Sequence, residues 1–196
     1  MTASLRCLPP SCEEDDGAVL ARVAEGDAAA AHRFVLRHQP EVRRFVARMI
    51  GARDPSVEDV TQLAFVAALA AADRFDGRSS ARTWLIGIAH NKVRMHIRSQ
   101  VRRRRAVELL AQLRRVVPLP GARPPSTTMS RIEEAVQGLP PDLRAVFVLC
   151  DVEGRTGAEA AACLGVPSGT ARRWRVEARR ALQPLLADLR PSGEDP

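Results

Sequence analysis

At 196 residues the chain has room for one average domain or two small ones, and two helical units of this size would each sit near the lower limit for a self-sufficient core. Hydrophobic residues make up 45%, much of it alanine, while aromatics are only 4% and tyrosine is absent, which favours helix over sheet throughout. The net charge of +7 favours a polyanionic partner, and no stretch approaches the ~20 apolar residues of a membrane span.

Taken from the N-terminus, residues 1–17 hold Pro9, Pro10 and the acidic run Glu13 to Asp16 and read as a flexible tail. Its acidity is wrong for a signal peptide but suits it to shielding a basic surface of the same chain, and a cytoplasmic protein is expected. Cys7, Cys12, Cys150 and Cys163 lack paired CxxC spacing, so neither a zinc site nor a disulfide framework is expected.

Residues 18–105 form a first domain of about four helices, with breaks expected near Gln39-Pro40, Gly51 to Pro55 and Phe75 to Ser80. Ser56 is the expected cap of the helix VEDVTQLAFVAALAAA, completed as a box by Asp59. Val57, Val60, Ala64, Ala67, Ala68 and Ala71 make its core stripe, yet Gln62, Val66 and Leu69 fall on the other side. A helix apolar nearly all round either lies buried at the centre of its own bundle or presents a second contact surface.

A Gly/Ser loop then leads into TWLIGIAHNKVRMHIRSQVRRRR, with Trp84, Leu85, Ile88 and Ala89 at core spacing. From Lys92 to Arg105 there are seven basic residues and no acidic one. Such a run is either a solvated face or a nucleic-acid surface; His90 and Asn91 can hydrogen-bond bases, and the guanidinium groups can reach phosphates.

Residues 106–130 contain Pro118, Pro120, Gly121, Pro124 and Pro125 and are expected to be a linker. The second domain spans 131–190, with a short tail at 191–196. Its first clear helix follows Pro140-Pro141 and places Leu143, Val146, Phe147 and Cys150 on one face. Thr156 with Glu159 makes a capping box, Gly165 supplies a left-handed helix end, and Ser168 is expected to cap the helix after Val166-Pro167. Two helices across so short a turn are either a helix-turn-helix or an ordinary hairpin. In the former, Ser168, Thr170, Arg172 and Arg173 project into the major groove, with Ala171, Ala178 and Leu182 packed inward. Pro184 is expected to kink or end that helix.

VEDVTQLAF, SSARTWLIGIAHNKVRMHIR, LPPDLRAVFVL and GAEAAACLGVPSGTARRW together resemble the sigma-70 family of bacterial RNA polymerase initiation factors, in its small extracytoplasmic-function (ECF) group. The resemblance implies an all-α chain of two domains, region 2 and region 4. It assigns core polymerase binding to Glu58, Asp59, Gln62 and Phe65. It assigns the minus-10 element to Phe75, Arg78, Ser80, Arg82, Asn91, Lys92, Arg94 and Arg98, with a flipped-out base received by the loop Phe75 to Arg82. The minus-35 element falls to Ser168, Thr170, Arg172 and Arg173.

The implied partners are core RNA polymerase, promoter DNA and an anti-sigma factor, with no cofactor, metal or small-molecule substrate. Departures from the family pattern are Met95 for Asp, Ala160 for a larger aliphatic, and ARRWR in the recognition helix, where Trp174 is expected to fill the core position left by Arg175. The competing reading is a stand-alone helix-turn-helix repressor or activator. An enzyme is not expected, because the sequence shows no nucleophile set, metal set or phosphate loop.

Overall fold

The computed structural model describes residues 15–114 and 128–188, and among these every regular element is a helix. The proline-rich segment between them, Cys7, Cys12 and the final tail lie outside the described residues.

The first unit is built from α1 (Asp16–Ala24), α2 (Ala28–Ile50), α3 (Val57–Ala70) and α4 (Ala81–Arg114), with a short 3-10 turn at Ala72–Arg74. Asp27, which follows Gly26, starts α2 by accepting a bond from Ala30 N at 2.9 Å, so a break falls here that the sequence expectation did not include. The break expected at Pro40 is absent, and α2 runs through it. Pro40 lies on the exposed side, where the Leu36 carbonyl left without its amide partner faces water. The opposite side is anchored by buried Phe34, Val42, Phe45, Val46 and Met49.

Before α3 the expected roles shift by two residues. Ser56 makes no side-chain cap; instead Asp54 accepts from Ser56 N at 2.8 Å, which is an Asx-type turn. The core side of α3 is Val57, Val60, Thr61, Ala64, Phe65 and Ala68. At the start of α4, Ser80 accepts from Thr83 N through its hydroxyl, and its carbonyl accepts from Trp84 N. The helix continues to Arg114.

The second unit contains α5 (Thr128–Gly138), α6 (Pro141–Phe147), which widens into a π turn at Val148–Val152, α7 (Gly157–Leu164) and α8 (Ser168–Asp188). The capping box of α7 forms as its sequence dictates: Thr156 and Glu159 exchange side-chain-to-backbone bonds. Gly165 takes φ 64°, ψ 34°, the left-handed conformation that turns the chain from α7 into α8. Ser168, expected as the cap, is instead the first residue of α8, whose opening backbone bond runs from Ala171 N to the Pro167 carbonyl. α8 passes through Pro184 without ending. Like Pro40, that proline is solvent-exposed, as is Arg180 one turn before it.

The two units share one continuous core, which runs from Val19 in α1 to Ala171 in α8. α7 lies on α4 and α6 packs against α2. A second, smaller cluster of Leu139, Leu143, Ala178 and Leu182 ties α6 to α8 within the second unit. Arg144 fastens the junction. Its guanidinium is buried and donates to the carbonyls of Met49, at the end of α2, of Gln137, in the last turn of α5, and of Leu139, just past that helix. A cation placed on helix C-termini meets the negative end of each dipole.

Candidate nucleic-acid interface

On α3 the outward strip consists of Glu58, Asp59, Gln62, Leu63 and Val66, all exposed. Leu63 and Val66 keep 54% and 64% of their surface exposed, so the second face of this helix is partly apolar and lies open rather than buried in the bundle. Phe65, assigned to the same surface from sequence, is only 6% exposed and belongs to the core. Four residues after buried Thr61 and three before buried Ala68, its side chain falls on the inward face of the helix. Leu63 was missed, although the apolar character of the helix all round was the signal for it. Arg43 of α2 pairs with Glu58 at 2.6 Å; the pair is about half exposed on both sides and contributes little to stability.

The loop before α4 borders a cavity of about 500 Å³ lined by Phe75, Arg78 and Ser80 together with Asp15, just before α1, and Asp16 at its start. Phe75 packs edge-on against Trp84, ring centroids 5.5 Å apart, which fixes the cavity floor. Arg78 stays at the loop, 3.2 Å from Asp76. Asp16 also reaches Arg37 at 2.7 Å, so part of the acidic N-terminal run is docked on the first unit.

Other residues expected on this surface are drawn elsewhere. Arg82 turns to Glu41 of α2 with both carboxylate oxygens within 2.7 Å. Arg94 lies 3.3 Å from Asp142 of α6. Asn91 and Arg98 are exposed and Lys92 is half-buried. His90, expected to reach bases, is only 3% exposed: it lies against α6 of the second unit, with Nε2 3.5 Å from Asp142. Burial pushes its pKa down to about 4, against the opposing pull of Asp142 and with some help from Arg94, so it is neutral at ordinary pH.

Along α8, Ser168, Arg172, Arg173, Val176 and Arg180 are exposed and Thr170 is half-buried. Val176 was missed from sequence; it lies one turn after Arg172 and is 62% exposed. Arg175 points back. It donates to Asp151 of the π turn at 2.9 and 3.1 Å, and Arg179 joins the same carboxylate. Burial alone would raise the Asp151 carboxyl, but these two guanidiniums hold it below the usual range. Trp174 packs against both hydrophobic clusters, as the substitution of Arg175 at a core position suggested.

A basic helix whose loop encloses a cavity, followed on the same chain by a helix-turn-helix with an arginine-bearing second helix, defines a two-module DNA-binding protein. The family model for Sigma-70 region 2 matches residues 34–103 and that for Sigma-70, region 4 matches 129–182. The "Probable RNA polymerase sigma-C factor" of Mycobacterium bovis is 36% identical over 90% of this chain and 94% of its own length. The "ECF RNA polymerase sigma-E factor" of Escherichia coli K12 is 32% identical over 87% of this chain and 96% of its own. Among solved structures, CnrH in complex with the cytosolic domain of CnrY aligns with a TM-score of 0.63 and 30% identity, over 90% of this chain and 99% of that one. The sigma factor RpoE of Bartonella quintana, in complex with the anti-sigma factor NepR, aligns with a TM-score of 0.58 and 27% identity over 81% and 98%. The chain belongs to the sigma-70 family of RNA polymerase sigma factors, in its ECF group.

Proposed function

We propose that this sigma factor docks on core RNA polymerase through the outward strip of α3, reads the minus-10 element with the loop Phe75 to Arg82 and the exposed side of α4, and reads the minus-35 element with α8. The observation that carries the first part is the pairing of two exposed apolar side chains, Leu63 and Val66, with Glu58, Asp59 and Gln62 on one helix face. A solvated helix does not need such a strip, whereas a protein contact does. The cavity beside Phe75, Arg78 and Ser80 supports the reception of an unstacked base. On α8, the exposure of Arg172 and Arg173 supports their reading a groove, whereas Arg175 is engaged by Asp151.

The protein works by binding, in the cytoplasm, with no reaction of its own; among the described residues no helix is long and apolar enough to cross a membrane. An anti-sigma factor is its regulatory partner in this reading. Of the aligned structures, RpoE is bound to the anti-sigma factor NepR, and CnrH to the cytosolic domain of CnrY. A largely apolar groove of about 390 Å³ between α2 and α5, edged by Arg43, Arg44 and Arg48, suits an amphipathic segment with acidic flanks.

Co-elution with purified core polymerase tests the assignment. Wild type should bind and an Asp59→Ala, Gln62→Ala double variant should bind at least about tenfold more weakly, the loss expected for one or two interface contacts. A folded wild type that binds operator-like duplex tightly but not polymerase would instead favour the stand-alone repressor or activator.

A further inference from the structure

We propose that Asp15, just before α1, reads the unstacked base received by the loop Phe75 to Arg82, selecting a base that carries an amino group on its pairing edge and rejecting thymine. The proposal rests on the reading above, in which that loop receives a base of the minus-10 strand.

Two carboxylates line the cavity beside Phe75, and they are not equivalent. Asp16 is committed to the fold: one oxygen lies 2.7 Å from Arg37 and the other 3.0 Å from the ring of His38 in α2. Asp15 accepts from Val19 N through its backbone carbonyl, but its side chain neither caps α1 nor pairs with any group among the described residues. The cation on the same cavity, Arg78, is turned to Asp76 instead. The Ser80 hydroxyl is engaged by Thr83. Exposed and uncommitted, the Asp15 carboxylate is the side chain on this wall that can answer the polar edge of a base.

Gly17 sets that carboxylate beside the aromatic ring. A Cβ at Gly17 would lie 3.1 Å from Asp15 Oδ2 and 3.6 Å from Phe75 Cε1, so acid and ring approach the same point, and the missing side chain leaves it open. A base held against Phe75 presents its edge within reach of Asp15. A carboxylate only accepts hydrogen bonds. Cytosine, adenine and guanine each offer it an amino group, and Asp to cytosine N4 is a standard pairing. Thymine has none and flanks its single N–H with carbonyl oxygens, which the carboxylate repels. A site built around one hydrogen bond rejects the close isostere that lacks the donor, because its own polar group is then left unpaired.

The test uses the full chain assembled with core polymerase, on a duplex whose minus-10 region is pre-opened and whose non-template strand is randomised across the opened stretch; bound strands are sequenced. Wild type should deplete thymine at one position, and Asp15→Asn, whose amide can either accept or donate, should lift that depletion there and nowhere else. Replacing cytosine by uracil at that position exchanges an amino group for a carbonyl at nearly constant shape, and it should weaken wild type about tenfold and the variant hardly at all. Base preference is the readout rather than affinity, because removing a negative charge tightens binding to any DNA. A variant with wild-type preference at every position overturns the proposal, and so does an equal change at all positions. Phe75→Leu, which keeps an apolar side chain but removes the flat ring, separates the two readings. If it flattens preference at a position that Asp15→Asn leaves intact, the loop receives a base and Asp15 does not read it; if neither variant alters any position, base reception by the loop fails as well.

Discussion

Arg144 keeps its positive charge in the interior, because burial lowers its pKa only to about 10. Nothing in LRAVFVL announced this. In an apolar run an arginine ordinarily carries its head out to water along a neighbouring surface, and the carbonyls that receive it belong to residues 5, 7 and 95 positions away. His90 was misread for a related reason: helical spacing places it one step from Asn91, and only the packing of α6 decides that one is interior and the other exposed. Its buried, neutral state has a pH signature. With a folded pKa of about 4 against an unfolded value near 6.5, the native state carries no penalty above pH 6.5 and loses stability as pH falls from there to about 4, where the loss is complete. The full effect is about 3 kcal/mol, with Asp142 and Arg94 the charged groups that face the ring. Urea melts of wild type and His90→Gln across this window should converge in slope against pH everywhere except between 6.5 and 4; parallel curves throughout would show that His90 is hydrated in the native state.

At the scale of elements, the capped helices were the readable ones. The Thr156–Glu159 box and the left-handed Gly165 form as local chemistry requires, because both devices close within a few residues of chain. Prolines misled at Pro40 and Pro184 because sequence shows the missing amide but not which side of the helix faces water. On α8 the sequence offers a run of arginines, and the π turn sorts it: Asp151 pairs with half-buried Arg175 and with exposed Arg179, while Arg172 and Arg173 stay exposed away from it. Arg172→Ala should therefore change which minus-35 bases support transcription, with a loss of about 1 to 3 kcal/mol of discrimination at one position. Arg175→Ala should leave base preference intact and lower the melting temperature instead. Transcription from a promoter library with single-base changes, run beside thermal melts, checks both; an altered base preference from Arg175→Ala would mean that Asp151 does not hold it away from the groove.

For the molecule as a whole, the linker expected over 106–130 is narrower than the sequence suggested, because α4 runs on to Arg114 and α5 begins at Thr128, and the family assignment follows from motifs on either side of it. The mutual docking of the two units was not legible. It depends on pairs such as Arg155 with Glu41 and Arg144 with Met49, far apart in the chain, and on a glycine that in sequence only weakens a helix. The unbroken apolar cluster from Val19 to Ala171 has a thermodynamic consequence. Units joined by a linker alone would melt independently, but units that share an interior lose it together, so the polymerase-free protein should show a single calorimetric endotherm whose van't Hoff and measured enthalpies agree. A Cβ at Gly87 of α4 would lie 2.6 Å from the Cys163 carbonyl oxygen of α7, so Gly87→Ala should split that endotherm in two and show cooperativity to be a property of the docked units and not of either half.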